Sequence, residues 1–267
     1  MRRELFLIPL HDEIIIISFF TFIGLEFLFP RSNYKVFNNE RAEDIIWNIF
    51  TRIIDAIVFS AKIKLLVISA SFLRKLGMSF LDISNNHLIV QLGTGFLTYS
   101  FFVYWTHRIL HTNKYLWEFH KIHHSISELN TLSSVRSHFV SVLILDFFPL
   151  LALNVIRISD FPMEIIFFTT SILNYLNHSN LNIKMKIFSF LFVTPEVHMW
   201  HHAKKCIHNK GQNFGIYLTI WDRAFKTFYV GQQIPELGLE KRIPNGVLNK
   251  LVSPFKEVYS QVKNSNK

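Results

Sequence analysis

The chain has 267 residues, half of them hydrophobic, and a mean hydropathy of +0.25. Charged residues make up 18% of it, below the level of an average soluble domain, and this composition excludes disordered, collagenous and low-complexity classes. Lysine and arginine exceed aspartate and glutamate by 28 to 19, but they lie between apolar blocks, so we expect an anionic membrane as partner and no nucleic acid.

Five stretches come near the roughly 20 apolar helical residues that cross a bilayer. They are 14–29, 44–73, 88–105, 139–156 and 161–177. Charges interrupt the second stretch, which predicts either an amphipathic interfacial helix followed by a short apolar piece or one tilted span. The last two stretches are separated by so short a connection that they predict a helical hairpin entering the membrane and returning. The expected fold is an all-α, multi-pass bundle of about four or five membrane helices.

The two ends of the chain predict its orientation. Met1, Arg2 and Arg3 precede the first apolar run without a small-residue cleavage site, which predicts a retained anchor. After Ser179 the chain is more polar and carries 13 lysine or arginine residues, so we expect this region on the cytosolic face, as part of a helical cap.

Histidine spacing is the strongest functional signal. Eight of the 13 histidines form one HxxxH and two HxxHH motifs: His107 and His111, then His120, His123 and His124, then His198, His201 and His202. Residues three and four apart share one helix face, so each motif is expected to present its rings to one point, as metal coordination requires. We predict that all eight are metal ligands in a catalytic centre.

Two more histidines stand at the ends of the predicted hairpin, His138 and His178. If the hairpin returns to the side from which it entered, the three motifs meet on one membrane face and these two join them, so both are predicted metal ligands. His11 and His87 have no partner at helical spacing and are expected to have no metal role, and the same expectation is favoured for His208.

Ligand number and type restrict the metal. Eight to ten histidines are too many for one ion and predict two, and the single cysteine, Cys206, excludes a thiolate-built zinc site. Imidazole binds zinc, copper, iron or nickel, so the element stays open at this point. HExxH, GxSxG and phosphate-loop motifs are absent from the sequence. A redox pair of metals beside apolar helices points to oxygen chemistry on a lipid.

Three segments resemble the histidine boxes of the fatty acid hydroxylase superfamily, also called the sterol desaturase family. They are 105–111 (WTHRILH), 116–125 (LWEFHKIHHS) and 194–203 (TPEVHMWHHA). The resemblance continues through 213–215 (NFG) and 221–227 (WDRAFKT) and extends over about 88–230. It implies three regions: an N-terminal membrane-anchoring region (1–87), a catalytic domain (88–230) and a polar C-terminal tail (231–267).

The resemblance also implies an activity. Such proteins are integral membrane enzymes with a non-haem di-iron centre, use O2 as co-substrate, take electrons from a cytochrome b5, ferredoxin or reductase partner, and hydroxylate or desaturate lipids such as fatty acyl chains and sterols. Carried over by position, the eight box histidines would be iron ligands; His178 matches a further ligand position, and His138 matches less closely. The membrane would be a bacterial inner membrane or the endoplasmic reticulum.

Three positions depart from the family pattern: Asn174, where some members place histidine, Gln212, where many carry an acid, and Lys226, where glycine is usual. Four polar residues are candidates to orient the imidazoles by accepting their second ring hydrogen. They are Glu118, Glu196, Asn213 and Asp222.

Two alternatives stay open. A membrane zinc hydrolase could use the same histidines with a metal-bound water. A non-catalytic lipid-binding relative could have descended from such enzymes, although the presence of all three boxes argues against it. Metal analysis distinguishes the first alternative from the oxygenase.

Overall fold

The structure, a computed structural model, describes residues 7–32, 38–78, 81–207 and 211–265. These residues form helices and no β-strand, since their only β features are isolated bridges. The all-α prediction is therefore confirmed. Met1 to Arg3, on which the anchor prediction partly rests, and His208 lie outside the described residues.

Nine α-helices can be followed along the described chain. They are α1 (Leu7–Leu28), α2 (Asn39–Lys75), α3 (Leu88–Thr112), α4 (Lys114–His120), α5 (Phe139–Val155), α6 (Asp160–His178), α7 (Pro195–His201), α8 (Ile220–Ala224) and α9 (Val247–Ser265). Short 3₁₀ turns stand at His123–Ser125, Thr131–Val135 and Lys186–Phe190. All five apolar stretches form helices, apart from the end residues Phe29 and Ile156, because long apolar runs favour this structure even with Pro149 inside α5.

Two of the described helical stretches are long and apolar enough to cross a membrane, Ala56–Lys75 within α2 and Leu88–Thr112. Helix α2 is one continuous helix of 37 residues. Only 11% of its apolar stretch is buried by protein, and Ile57 and Ile68 are 71% and 66% exposed. Side chains of this kind need apolar surroundings, which a bilayer provides. The larger count of four or five membrane helices stays a prediction.

Helix α3 packs against both α5 and α6, the two arms of the predicted hairpin. A Cβ at Gly95 of α3 would lie 2.5 Å from Ile158 Cδ1 and 2.8 Å from Ile166 Cδ1, so glycine permits this close approach. Because the chain reverses between the arms, the start of α5 and the end of α6 both reach the cap, by which we mean the histidine boxes together with the segments between α4 and α5 and after α6. The carboxyl end of α3, the start of α5 and the end of α6 therefore all lie at the cap.

The first two helices hold the segment that follows the second histidine box. Glu26 of α1 accepts hydrogen bonds from Thr131 N (2.8 Å), Thr131 Oγ1 (2.7 Å) and Asn180 N (2.9 Å). Asp44 of α2 lies 2.6 Å from Arg136 Nε, and both side chains are at most 1% exposed. A buried guanidinium needs such an anion, since an isolated buried charge is strongly unfavourable.

Candidate metal centre

Nine histidines converge in two groups, and within each group one ring nitrogen per residue lies within 4.8 Å of all the others. The five-histidine group contains His107, His111, His120, His124 and His201. The four-histidine group contains His123, His178, His198 and His202. All are buried except His111, which is partly buried. The structure therefore brings together the eight box histidines and His178.

The boxes are divided between the groups. Spacing alone predicts that all histidines of one motif belong to the same metal-binding group, and this is wrong for both HxxHH motifs. In the second box, His120 and His124 lie four residues apart and stay together, whereas His123, where a 3₁₀ turn begins after α4, joins the four-histidine group. In the third box, His198 and His202 lie four residues apart and stay together, whereas His201 joins the five-histidine group.

Short helices with clear end signals present these rings. Asn113 Oδ1 accepts hydrogen bonds from Tyr115 N and Leu116 N at the start of α4. Thr194 caps α7, and Pro195 occupies its first turn, where a missing backbone N–H has no cost. These signals set where each helix begins and hence which way its histidines point.

Backbone carbonyls determine the tautomer of four histidine rings. Nδ1 contacts a carbonyl oxygen in His107 (Phe214, 2.8 Å), His123 (Arg136, 3.1 Å), His178 (Asn174, 2.9 Å) and His201 (Gln212, 2.8 Å). A carbonyl oxygen can only accept, so in each of these rings Nδ1 carries the hydrogen. The Nε2 atom of the neutral ring then carries a free lone pair, which is the form that binds a metal.

These lone pairs face one another. His123 Nε2 and His178 Nε2 are 3.4 Å apart, and neither neutral ring has a hydrogen to place between them. In the five-histidine group, Nε2 of His111, His124 and His201 is buried without any hydrogen-bond partner. A buried acceptor left unpaired costs about 1–3 kcal/mol, and opposed lone pairs repel. A cation between the rings removes both penalties, so the residues present fit a metal ion in each group.

Burial also keeps the rings neutral. It lowers the pKa of His123 to about 4 and lowers the pKa values of His120, His198 and His202 well below their usual range. At neutral pH these imidazoles are therefore uncharged, so a cation can bind without first displacing an imidazolium proton.

The remaining histidines lie elsewhere. His138 accepts from Val140 N at Nδ1 (3.2 Å) and donates from Nε2 to Leu251 O (3.1 Å), so both nitrogens are engaged and it joins neither group. The placement does not support the prediction that His138 is a metal ligand; instead His138 caps α5. His87 caps α3. The side chains of His11 and His208 lie outside the described part of the chain.

The polar residues expected to orient the rings act differently. No hydrogen bond in the described part of the chain joins Glu118, Glu196, Asn213 or Asp222 to a histidine ring, so that prediction is wrong. Carbonyl groups take this role together with Ser141, whose Oγ lies 2.9 Å from His120 Nδ1. Sequence reasoning misses these partners because every residue has a carbonyl group, and a serine in an apolar helix carries no distinctive signal.

Asp222 acts one step further from the metal site. It accepts from Phe214 N at 2.7 Å and Gly215 N at 2.8 Å, and the Phe214 carbonyl accepts from His107. A Cβ at Gly215 would lie 2.4 Å from Leu218 O and 2.6 Å from Asp222 Oδ2, which explains the glycine of this segment. Burial raises the pKa of Asp222 to about 6, while its hydrogen bonds act in the opposite direction.

Two nearby residues adopt the left-handed backbone conformation, Asn213 (φ 53°) and Lys226 (φ 57°). Asn213 is held there by its side chain, which donates to Val197 O at 3.0 Å and accepts from Tyr229 N at 2.8 Å. Glycine adopts the conformation of Lys226 most easily, which explains why the family pattern has glycine at this position. Asn174 and Gln212, the other departures, contribute their backbone carbonyls.

A polar cavity of about 550 Å³ reaches the five-histidine group. His111, His124 and His201 form part of its wall. Charged and polar residues of α4, of the 238–244 segment and of α9 form much of the rest. The five-histidine group is thus accessible through this cavity.

Comparison with known proteins agrees with this centre. Residues 92–227, just over half of the chain, match the family model for fatty acid hydroxylase. The chain belongs to the fatty acid hydroxylase family.

Relatives include ornithine lipid hydroxylase OlsE of Rhizobium tropici, 29% identical over 62% of this chain and 50% of that protein. Alkylglycerol monooxygenase of Xenopus tropicalis is 29% identical over 56% of this chain and 35% of its own length. Methylsterol monooxygenase 2-2 of Arabidopsis thaliana is 29% identical over 52% of each chain. The matches therefore span about half or less of these relatives. No solved structure matches the chain significantly.

Proposed function

We propose that the chain is an integral membrane oxidoreductase that uses O2 and two iron ions to hydroxylate a lipid. The observation that carries the proposal is the pair of buried, all-nitrogen groups with opposed and unpaired Nε2 atoms. Relatives named for hydroxylating an ornithine lipid and for monooxygenation of alkylglycerols and methylsterols favour hydroxylation over desaturation.

Ligand number favours iron over zinc. Zinc takes four ligands in structural sites and three protein ligands in catalytic ones, and it has no redox chemistry. One group here offers five imidazoles and the other offers four. Iron accepts nitrogen ligands in higher coordination numbers and exchanges electrons, so it suits a pair of such groups better.

Each group of residues has a defined task in this proposal. The five- and four-histidine groups would hold one iron ion each, and the irons supply the activation of O2 for insertion of oxygen into a C–H bond. The carbonyls of Phe214, Arg136, Asn174 and Gln212 hold the Nδ1 hydrogens and so direct the ring lone pairs inward. Burial of the rings would limit water at the reacting atoms, except where the five-histidine group faces the polar cavity.

The membrane placement follows from α3. The two histidines of the first box lie in its last two turns, so a membrane-crossing α3 sets the metal centre at one bilayer face. We propose the cytosolic face, with α5 and α6 as further membrane helices, because the basic residues after Ser179 belong to that side. A separate redox protein would deliver electrons there, and the lipid would come from the bilayer.

The test is lipid oxidation under isotopic oxygen. Cells that produce the chain are grown under ¹⁸O2, and their lipid extracts are compared by mass spectrometry with extracts from cells producing His201→Ala. We expect ¹⁸O-labelled hydroxylated lipids with the native chain and with the control His87→Ala, and none with His201→Ala. Unlabelled products formed equally without O2, by a zinc-loaded protein, would replace the proposal with a hydrolase.

A further inference from the structure

Helix α9 carries an exposed apolar stripe. Leu248, Val252, Phe255, Tyr259 and Val262 are between 43% and 78% exposed. They follow one another at intervals of three and four residues, so they lie on a single helix face. Such a continuous stripe is more than the scattered apolar residues normal on a soluble surface.

The opposite, polar face of α9 contacts the protein. Lys250 Nζ lies 2.7 Å from Glu43 Oε1 of α2, and Gln261 Nε2 donates to Glu118 Oε1 of α4 at 2.9 Å. Glu257, on the same side, lines the polar cavity. A surface helix of a soluble domain buries its apolar face, whereas α9 does the reverse. Its hydrogen bonds and ion pair fix this orientation, so the stripe points outward. Phe255 is the stripe residue that also contacts the protein, since its ring lies 5.1 Å from that of Phe119 of α4.

The depth of α9 indicates what covers the stripe. The Phe255 ring packs against His138 (5.5 Å between centroids) and Phe139 (6.3 Å), where apolar α5 begins. Residues at the start of an apolar membrane arm lie at the bilayer surface. Lys256 and Lys263 are exposed and each follows a stripe residue directly, so they flank the stripe on one side. Lysines there suit anionic lipid headgroups and can extend toward them.

We propose that α9 lies in the plane of the membrane surface, with the apolar stripe among the lipid acyl chains and Lys256 and Lys263 at anionic headgroups. This rests on the membrane placement in the proposed function. Because the other face of α9 lines the polar cavity, this position brings the cavity beside the five-histidine group to the depth of the headgroups. A lipid could then enter the cavity sideways without its polar part leaving the interface.

A labelled full-length chain tests the proposal. In a Cys206→Ser background, Tyr259→Cys on the stripe and Ser260→Cys, its exposed neighbour off the stripe, are each labelled with an environment-sensitive dye. The proteins are reconstituted in vesicles of phosphatidylcholine and phosphatidylglycerol. We expect acyl-chain spin labels to quench the dye of Tyr259→Cys at least about threefold more than that of Ser260→Cys, and iodide to quench in the reverse order.

Equal iodide quenching at both positions would overturn the proposal. So would close approach of the dyes on Tyr259→Cys of two different chains, because the stripe would then be a dimer interface. The double variant Lys256→Glu and Lys263→Glu should reduce the quenching in phosphatidylglycerol vesicles to the level found in phosphatidylcholine alone. Lipid oxidation by the same variants is measured in cells grown under ¹⁸O2, where a redox partner is present. A water-exposed stripe in an active protein refutes the role of α9, and a buried stripe in an inactive one refutes the proposed function.

Discussion

The cap and the membrane helices of this protein have opposite relations to their surroundings. In the cap, Arg136 and Asp222 are at most 1% exposed and bonded on several sides. Along the apolar part of α2, isoleucines such as Ile57 and Ile68 are more than half exposed. Polar groups are buried where chemistry needs them, and apolar groups are exposed where lipid is the solvent. Changes in the cap should therefore cost more than changes in the membrane helices.

The largest effect is expected at the ends of the hairpin. His178→Ala removes a member of the four-histidine group and should eliminate oxidation and bound metal from that group, because only three imidazoles remain there to hold the ion. His138→Ala, at the other end of the hairpin, should retain both metal ions and lose about 1 kcal/mol of stability with its helix cap. Metal analysis of both purified variants checks this pair, and loss of metal from His138→Ala would show that the ligand set is drawn too narrowly.

A buried charge in the cap gives the next largest effect. Asp44→Ala leaves Arg136 buried and should lower the free energy of unfolding by about 3 kcal/mol, the low end for a broken buried pair because Glu40 remains beside the guanidinium. The control is Asp82→Ala, which removes an exposed partner of Arg157 and should leave unfolding unchanged. Thermal unfolding in detergent measures both, and equal effects would contradict the contrast between cap and surface.

The positioning role of Asp222 predicts a smaller change. In Asp222→Asn the amide keeps one acceptor oxygen for Phe214 N but turns an NH2 toward Gly215 N. We expect metal affinity to fall about 10- to 100-fold, as it does for other residues that hold metal ligands in place. Thr227→Val removes one hydrogen bond to Asp222 and should have a weaker effect of the same kind. Metal titration that leaves affinity unaltered in both variants would remove this role.

The smallest effect is expected between α2 and α5, outside the cap. Lys62 of α2 and Asp146 of α5 form a 3.7 Å ion pair beside an apolar groove. A double-mutant cycle with Lys62→Leu and Asp146→Leu should give a coupling of about 0.6 kcal/mol, because both groups are only partly enclosed and find alternative partners. A coupling as large as the effect at Asp44 would mean that the membrane helices depend on buried charge as the cap does.

The helices could be predicted because apolar runs directly encode them. The stretches 14–29, 139–156 and 161–177 lie in α1, α5 and α6 with ends shifted by a few residues, and 44–73 forms part of one long helix. Helix α9 is different: the sequence predicts only a polar tail at 231–267, since its apolar residues are spread along an amphipathic helix and form no continuous run. Its inverted packing depends on partners from α2 and α4 that no local pattern reveals.

The metal centre could be predicted only in part. Spacing identifies the box histidines, and the hairpin identifies His178, because helix geometry and chain reversal are local or nearly local properties. The division into two groups could not be predicted, because in both HxxHH motifs the histidines four apart serve one group and the remaining one serves the other, which depends on how the boxes pack together. The exclusion of His138 depends on Leu251, far away in sequence.

Metal content of the native chain tests the central claim most directly. Protein purified without chelators is analysed for iron and zinc, alongside His178→Ala and His201→Ala, which remove one ligand from each group. We predict about two iron ions per native chain, one for each histidine group, and fewer in either variant. Zinc in place of iron, or native metal content that neither substitution changes, would contradict the account.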